Sequence, residues 1–127
     1  RGQLLLARDG GRAAGCVALR PLEDGACEMK RLFVRPAYRG RGLGRLLAAR
    51  IVSEATASGY AVMRLDTLDS LDGAMWLYES LGCRRRPPYY ANPLPGAVYW
   101  ERALSKPTPV LLAESEQRRD RPDGVQR

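Results

Sequence analysis

The sequence predicts a mixed α/β fold: an antiparallel meander of three strands, followed by helix and strand in alternation, α-β-α-β. Three observations predict it. Two short turn signals, Asp9-Gly10-Gly11 and Glu23-Asp24-Gly25, separate three strand-like apolar segments. A glycine-rich break then gives way to apolar residues at Leu43, Leu46, Leu47, Ile51 and Ala55, the spacing of one helix face. Further on, Ala74, Leu77, Tyr78 and Leu81 repeat that spacing after another short strand segment.

The elements follow in order. Residues 4–8 (LLLAR) and 14–20 (AGCVALR) read as the first two strands, joined by glycines that tolerate positive φ. Residues 26–34 (ACEMKRLFV) make the third, in part alternating, and Pro36 ends it. The first helix runs from Gly42 to about Thr56 and is closed by Ser58-Gly59. Residues 61–66 (AVMRLD) form a strand, and a second helix covers roughly Leu71 to Leu81, with Gly82 suited to its C-terminal turn. Pro87 and Pro88 exclude a central strand over Arg84 to Tyr90. Two more prolines stiffen the loop 91–96 (ANPLPG), and residues 97–104 (AVYWERAL) read as the last strand. Residues 1–104 thus make one domain. Residues 105–127 shift to Pro, Glu, Arg and Asp with little to bury, so a disordered tail is expected there.

Composition removes several function classes. The 127 residues are 45% apolar and 28% charged, as expected of a globular domain large enough to need no staples. There is no His, which excludes Ser-His-Asp and Cys-His nucleophiles, His-ligated zinc and His acid/base chemistry. Cys16, Cys27 and Cys83 are odd in number and lack metal-ligand spacing, so a disulfide framework or zinc knuckle is not expected, and a reducing, cytoplasmic setting fits best. No apolar run reaches the ~18 residues of a membrane span, and no signal peptide is visible. The chain opens on Arg1 and enters its first strand almost at once, so an N-terminally incomplete domain is expected.

The net charge of +7 is concentrated. Residues 28–50 hold seven Lys and Arg against the single acid Glu28, a net of +6. Within that stretch, residues 39–45 read Arg-Gly-Arg-Gly-Leu-Gly-Arg between a strand and a helix. Glycines let a backbone approach a ligand and turn its N–H groups outward, and a helix start adds partial positive charge. With Arg39, Arg41 and Arg45 these features form a site for a compact anion such as pyrophosphate. It is not a P-loop, because no Gly-Lys-Ser/Thr is present. Nor is it the dinucleotide fingerprint, because Arg45 stands where that pattern needs its third glycine.

The run Leu32-Phe33-Val34-Arg35-Pro36-Ala37-Tyr38-Arg39-Gly40-Arg41-Gly42-Leu43-Gly44 resembles the acyl-CoA-binding motif of the GNAT (GCN5-related) N-acetyltransferases, whose R/Q-x-x-G-x-G/A signature is met by Arg39, Gly42 and Gly44. A second match, Ala74-x-x-Leu77-Tyr78-Glu79-x-Leu81-Gly82, is similar to their later helix. The resemblance covers about residues 3–104. It implies a GNAT-like acyl-CoA N-acyltransferase fold and transfer of an acetyl group from acetyl-CoA to a primary amine, a small molecule or amino acid, by direct attack in a ternary complex. The chain departs from the pattern at Leu71, where many members have Asn, at Cys83, where Phe is frequent, and in lacking the strand and helices that usually precede the meander.

The resemblance also assigns roles. The strand near Leu32 would splay away from its neighbour, as in the family, so that Leu32, Phe33 and Val34 meet the pantetheine arm through main chain, their side chains being core, with an oxyanion donor among the backbone N–H groups near Leu32. Gly40, Leu43 and the rest of the segment Arg39 to Arg45 would hold the pyrophosphate. Without His, the base is a carboxylate acting through water, or solvent itself. Glu28, on the third strand, is the leading base, half-buried beside apolar neighbours, and its alternative is a solvent-facing carboxylate paired with Arg or Lys. Tyr78 is the leading acid, placed to protonate the leaving thiolate, and its alternative is a core aromatic with a satisfied hydroxyl.

Other residues read more blandly. Cys16 and Cys27 read as small core residues rather than acyl-carrying thiols. Asp66, Asp69 and Asp72 read as turn and N-cap residues rather than metal ligands, and no metal is expected. Tyr89, Tyr90 and Tyr99 either line an acceptor pocket or cover the sheet end. Arg84, Arg85 and Arg86 read as a solvated charge run rather than a site for an acidic acceptor. Neither nucleic acid nor membrane is expected as a partner, and a monomer or homodimer is. The alternative function is a non-catalytic acyl-CoA-binding or regulatory module.

Overall fold

The computed structural model describes residues 2–69 and 73–104. The expected meander is present: β1 (Gln3–Asp9), β2 (Arg12–Pro21) and β3 (Ala26–Val34) pair antiparallel in sequence. After a short 3-10 turn at Pro36–Tyr38 comes α1 (Leu43–Ala57), then β4 (Val62–Leu68) and α2 (Ala74–Ser80). Two more strands, β5 (Arg84–Arg86) and β6 (Ala97–Ala103), complete a six-stranded sheet of order β1-β2-β3-β4-β6-β5. The segment 84–86 is a three-residue edge strand that stops just before Pro87, where a missing N–H would break the ladder. Leu71, Asp72 and the expected tail 105–127 lie outside the described residues.

Register assigns the faces, because alternate residues of a strand point oppositely. Val17 and Leu19 of β2, Cys27 and Met29 of β3, Met63 and Leu65 of β4 and Trp100 of β6 share one face and are buried. Both helices lie on it. From α1, Leu47, Ala48, Ile51 and Ala55 are buried. Leu46, expected on that stripe, is instead exposed, so the apolar face of α1 is narrower than its leucines suggest. Gly15 lets α1 come close: a Cβ there would lie 2.7 Å from the Phe33 carbonyl oxygen and 3.1 Å from Leu47 Cδ1. From α2, the Tyr78 ring rests on Trp100, centroids 5.9 Å apart. Each fully buried large apolar side chain of this layer contributes roughly 1.5–3 kcal/mol.

The other face carries charge. Arg20, Glu28, Arg64, Glu101 and Arg84 stand opposite one another across β2, β3, β4, β6 and β5. The loop from Pro87 to Gly96 folds over part of this row.

The one parallel pairing is short. β3 and β4 pair only over Ala26–Val62, Cys27–Met63 and Glu28–Arg64, although β3 continues to Val34 and β4 to Leu68. Beyond Glu28 the two strands part, and the β3 edge there has no strand beside it. A bulge accompanies the fork: the β2–β3 register slips between Cys16 and Ala18, and Arg31 takes φ 58°, a left-handed conformation that costs a non-glycine residue about 1 kcal/mol or more.

Candidate active site

The glycine segment has the geometry of an anion cradle. Gly40 and Gly42 adopt φ of 80° and 81°, and neither has another atom close to where a Cβ would stand. Gly42 caps α1 without a side chain, and the first intrahelical bond runs from Leu46 N–H to the Gly42 carbonyl. The N–H groups from Gly40 to Arg45 therefore take no acceptor among the described residues. A run of unpaired donors at a helix N-terminus favours an anion. The arginines are not equivalent. Arg39 donates from Nε to the Val34 carbonyl at 2.8 Å and lies over the Phe33 ring, while Arg45 reaches the Ser80 carbonyl at 3.5 Å. Arg41 packs only over Tyr38 and stays exposed.

Leu32 and Val34 are partly buried against the core. Phe33 is not core: its ring is half-exposed on the charged face, because the bulge carries it there and Arg39 covers it. Cys16, opposite Phe33, is likewise only partly buried, its thiol donating to the Arg31 carbonyl, while Cys27 is fully buried. Burial pushes the Cys27 thiol up to about 12, which leaves it protonated and unreactive.

Tyr78 sits on the helical side of the sheet, 7% exposed. Its hydroxyl has no hydrogen-bond partner among the described residues, yet the only fully buried side-chain polar atom left unpaired there is Trp100 Nε1. The Tyr78 hydroxyl is therefore open to solvent at its tip while its ring is core. Burial, with the neighbouring Cys83 and Asp66 charges, pushes this phenol up to about 12.

Glu28 stands at the fork and is 1% exposed, the buried charge of the described residues. It is neither half-buried nor solvent-facing. Arg20 Nε lies 2.6 Å and Lys30 Nζ 3.5 Å from its Oε1, and the Tyr89 hydroxyl donates to Oε2 at 2.5 Å. Burial and this bond to Glu28 drive the Tyr89 phenol far above its ordinary range. Arg64 and Arg86 hold Glu101 at 3.0 and 2.6 Å, and its carboxyl falls below the usual range through the Arg64 bond first. Arg86 is thus an ion-pair member and Arg85 lies over the Trp100 ring, so two of the three arginines expected to be solvated are engaged.

Asp66 lies in the strand expected over residues 61–66, two positions beyond Arg64 on the charged face of β4, and β4 runs on to Leu68, so the turn or cap role also expected of Asp66 does not hold. The Tyr90 hydroxyl and Asn92 Nδ2 donate to its Oδ2 at 2.5 and 2.7 Å. α2 is capped by Gly73 with no side-chain bond. Tyr89, Tyr90 and Tyr99 pack ring against ring with centroids 5.3 to 5.7 Å apart, and Tyr99 ties the loop through the Tyr90 carbonyl and the Asn92 N–H. They line an open groove of ≈ 610 Å³ with Pro88, Asn92 and Leu94. Arg20, Lys30 and Asn92 were not singled out in the sequence. The register partner opposite Glu28 and the Pro-Tyr-Tyr-x-Asn cluster before the last strand were the available signals.

No group of three or more metal-binding side chains occurs among the described residues, and no described helix is long and apolar enough to cross a membrane.

Residues 1–83 match the family model described as Acetyltransferase (GNAT) family. An uncharacterized N-acetyltransferase of Schizosaccharomyces pombe is 50% identical over 107 residues, covering 83% of this chain and 66% of that protein. An acetyltransferase structure from Streptococcus agalactiae superposes with a TM-score of 0.72 at 27% identity, over 81% of this chain and 67% of that one. A Bacillus subtilis acetyltransferase solved in complex with CoA shares the fold at 19% identity, with a TM-score of 0.71 over 83% of this chain and 78% of that one. This chain thus spans just under two-thirds of the length of its Schizosaccharomyces pombe relative. A forked mixed sheet, a glycine cradle at the helix start and a family match over residues 1–83 lead to one conclusion, that the chain belongs to the GNAT acetyltransferase family.

Proposed function

We propose that this protein is an acetyl-CoA-dependent N-acetyltransferase that moves an acetyl group to a primary amine by direct attack in a ternary complex. The observation that carries this reading is the continuity of cradle and fork. The run of unpaired N–H groups from Gly40 to Arg45 follows directly on the β3 edge that β4 leaves open. A pyrophosphate on the cradle would send its pantetheine arm along Leu32, Phe33 and Val34, with its thioester at the fork. Arg39, Arg41 and Arg45 supply the charge, with Arg41 the freest of the three. Gly40, Gly42, Leu43 and Gly44 supply the backbone.

The chemistry at the fork then has three parts. The amine nitrogen bonds to the thioester carbon, and a backbone N–H near Leu32 steadies the oxyanion. Before that attack the acceptor ammonium gives up one proton through water to Glu28 or to solvent, and the bonded nitrogen releases its second to solvent or to the departing thiolate. The C–S bond breaks and the thiolate leaves towards Tyr78. A phenol near 12 facing a thiol of about 8.5 gives up its proton only uphill, so Tyr78 acts chiefly as a protonated hydrogen-bond donor to the sulfur. The acceptor is a small primary amine or amino acid, and the setting cytoplasmic.

One observation favours a second reading, a non-catalytic acyl-CoA-binding module: three groups, Arg20, Lys30 and Tyr89, already occupy the Glu28 carboxylate. A carboxylate offers about four lone-pair sites, so room for one water remains.

Calorimetric titration with acetyl-CoA, beside an Arg41→Glu, Gly42→Asp double variant, tests the cofactor site. Saturable binding by the wild type, lost in the variant, is expected. A folded wild-type chain that does not bind acetyl-CoA overturns the reading. Binding without acetyl transfer or CoA release across a broad amine panel supports the second one.

A further inference from the structure

The glycine cradle leans on the far edge of the sheet. Leu5, Ala7 and Asp9 alternate onto the helical side of β1. The first two pack into the core, and Asp9 ends the strand with an exposed carboxylate beside the turn that leads into the glycine segment. The Tyr38 hydroxyl, 29 positions away, donates to Asp9 Oδ2 at 3.0 Å. No Lys or Arg among the described residues lies within ion-pair distance of Asp9, although Arg12 is its register partner. The face of Tyr38 in turn carries the Arg41 guanidinium, 5.6 Å from the ring centroid. Asp9, Tyr38, Arg41 and Gly42 line one cleft of ≈ 290 Å³ between the β1–β2 turn and the start of α1. The same hairpin holds the chain just before Tyr38: Arg35 donates from its N–H to the Ala14 carbonyl at 2.9 Å and from Nη1 to the Ala13 carbonyl at 3.4 Å.

A carboxylate beside an anion site repels the ligand, so by charge alone Asp9 would weaken the cradle. It has a use that charge alone does not describe. An exposed arginine samples many rotamers, and an aromatic face that holds its guanidinium removes part of that freedom before a ligand arrives. The face serves only while the ring is held, and the bond to Asp9 holds the ring at its hydroxyl end. We propose that Asp9 is a positioning residue for the pyrophosphate of acetyl-CoA: through the Tyr38 hydroxyl it fixes the ring on which Arg41 rests, and so presents Arg41 to the cradle. This rests on the acetyltransferase reading for the identity of the ligand. Asp9 and Tyr38 act through Arg41, which alone of the three meets the phosphates. A role through charge alone predicts the opposite sign on substitution.

Calorimetric titration with acetyl-CoA, at one ionic strength throughout, separates the two. Asp9→Ala and Tyr38→Phe each remove the bond and keep the ring, so each should weaken acetyl-CoA about three- to fivefold, the scale of one exposed cation–π contact. The two together should weaken it no more than either alone. Asp9→Asn keeps an acceptor for the hydroxyl and removes the charge, so it should bind at least as tightly as the wild type. Arg41→Ala should cost about tenfold, and in that background Asp9→Ala should add less than about twofold. Tighter binding by Asp9→Ala overturns the proposal in favour of charge alone. A loss that persists in full in the Arg41→Ala background also overturns it, since Asp9 would then be a strut for the loop backbone. If the wild type binds acetyl-CoA and Asp9→Ala binds it equally well, the acetyltransferase reading stands and the positioning role falls. A folded wild-type chain that binds no acetyl-CoA overturns that reading and the positioning role with it.

Discussion

A buried carboxylate survives only where its charge is answered, and Glu28 is answered by a cross-strand arginine, an i+2 lysine and a phenol from a distant loop. Its two proposed duties, accepting a proton and anchoring Tyr89, separate on substitution. Glu28→Gln keeps size and burial but cannot take the proton, so kcat should fall about 10²-fold or more with acetyl-CoA affinity unchanged. Tyr78→Phe keeps the ring on Trp100 and removes the donor, so kcat should fall by about 10² as well. Steady-state rates beside calorimetry check both, and an unchanged rate in Glu28→Gln would leave solvent as the base. Both residues were legible in the sequence from residue type, strand or helix position and family motif. Their settings were not. Tyr89 is 61 positions from Glu28, and no local pattern reports such a contact. Phe33 illustrates the same limit: an apolar residue in an alternating strand reads as core until a bulge turns it outward.

At the scale of elements, the turns and the order of elements along the chain were readable because glycine and proline chemistry marks them locally. The bulge at Arg31 was not, since nothing in ACEMKRLFV announces a slipped register. The fork was expected only from the family resemblance, in which the strand splays near Leu32; no local composition marks it, because it depends on where β4 stops pairing. Gly15 joins these features, because it lies where α1 presses on the β2–β3 pair beside the glycine cradle. The obstacle to a Cβ there is a backbone carbonyl, which cannot rotate away. Gly15→Ala should therefore cost about 1–3 kcal/mol, measured as a lower urea midpoint at constant slope. Gly11→Ala is the control, with open space and no positive φ, and should stay within about 0.5 kcal/mol. Equal effects at the two positions would mean that α1 does not sit as close to β2 as described.

The whole molecule binds its protons tightly on the alkaline side. Burial lifts the Cys27 thiol from 9.0 to about 12 and the Cys83 thiol to about 11. The Tyr78 phenol rises from 10.0 to about 12 through burial, and Tyr90 reaches about 12 chiefly through its bond to Asp66. In each case the folded state holds the proton at a pH where the unfolded chain has released it. The stability these groups protect is complete below their unfolded values, near 9 and 10, and is lost as pH rises through their folded values. Charge repulsion among the arginines does not change over this range, because a guanidinium stays protonated throughout it, and so it cannot produce the fall. The urea midpoint should therefore fall steadily from about pH 9 towards 12, with no matching fall between pH 7 and 8.5. Cys27→Ala removes one of these protons, so its midpoint should decline less steeply over the same range even if it begins lower. A midpoint that stays level to pH 11 in the wild type would mean that water reaches these side chains, and that the layer between helices and sheet is looser than Trp100 and its neighbours make it.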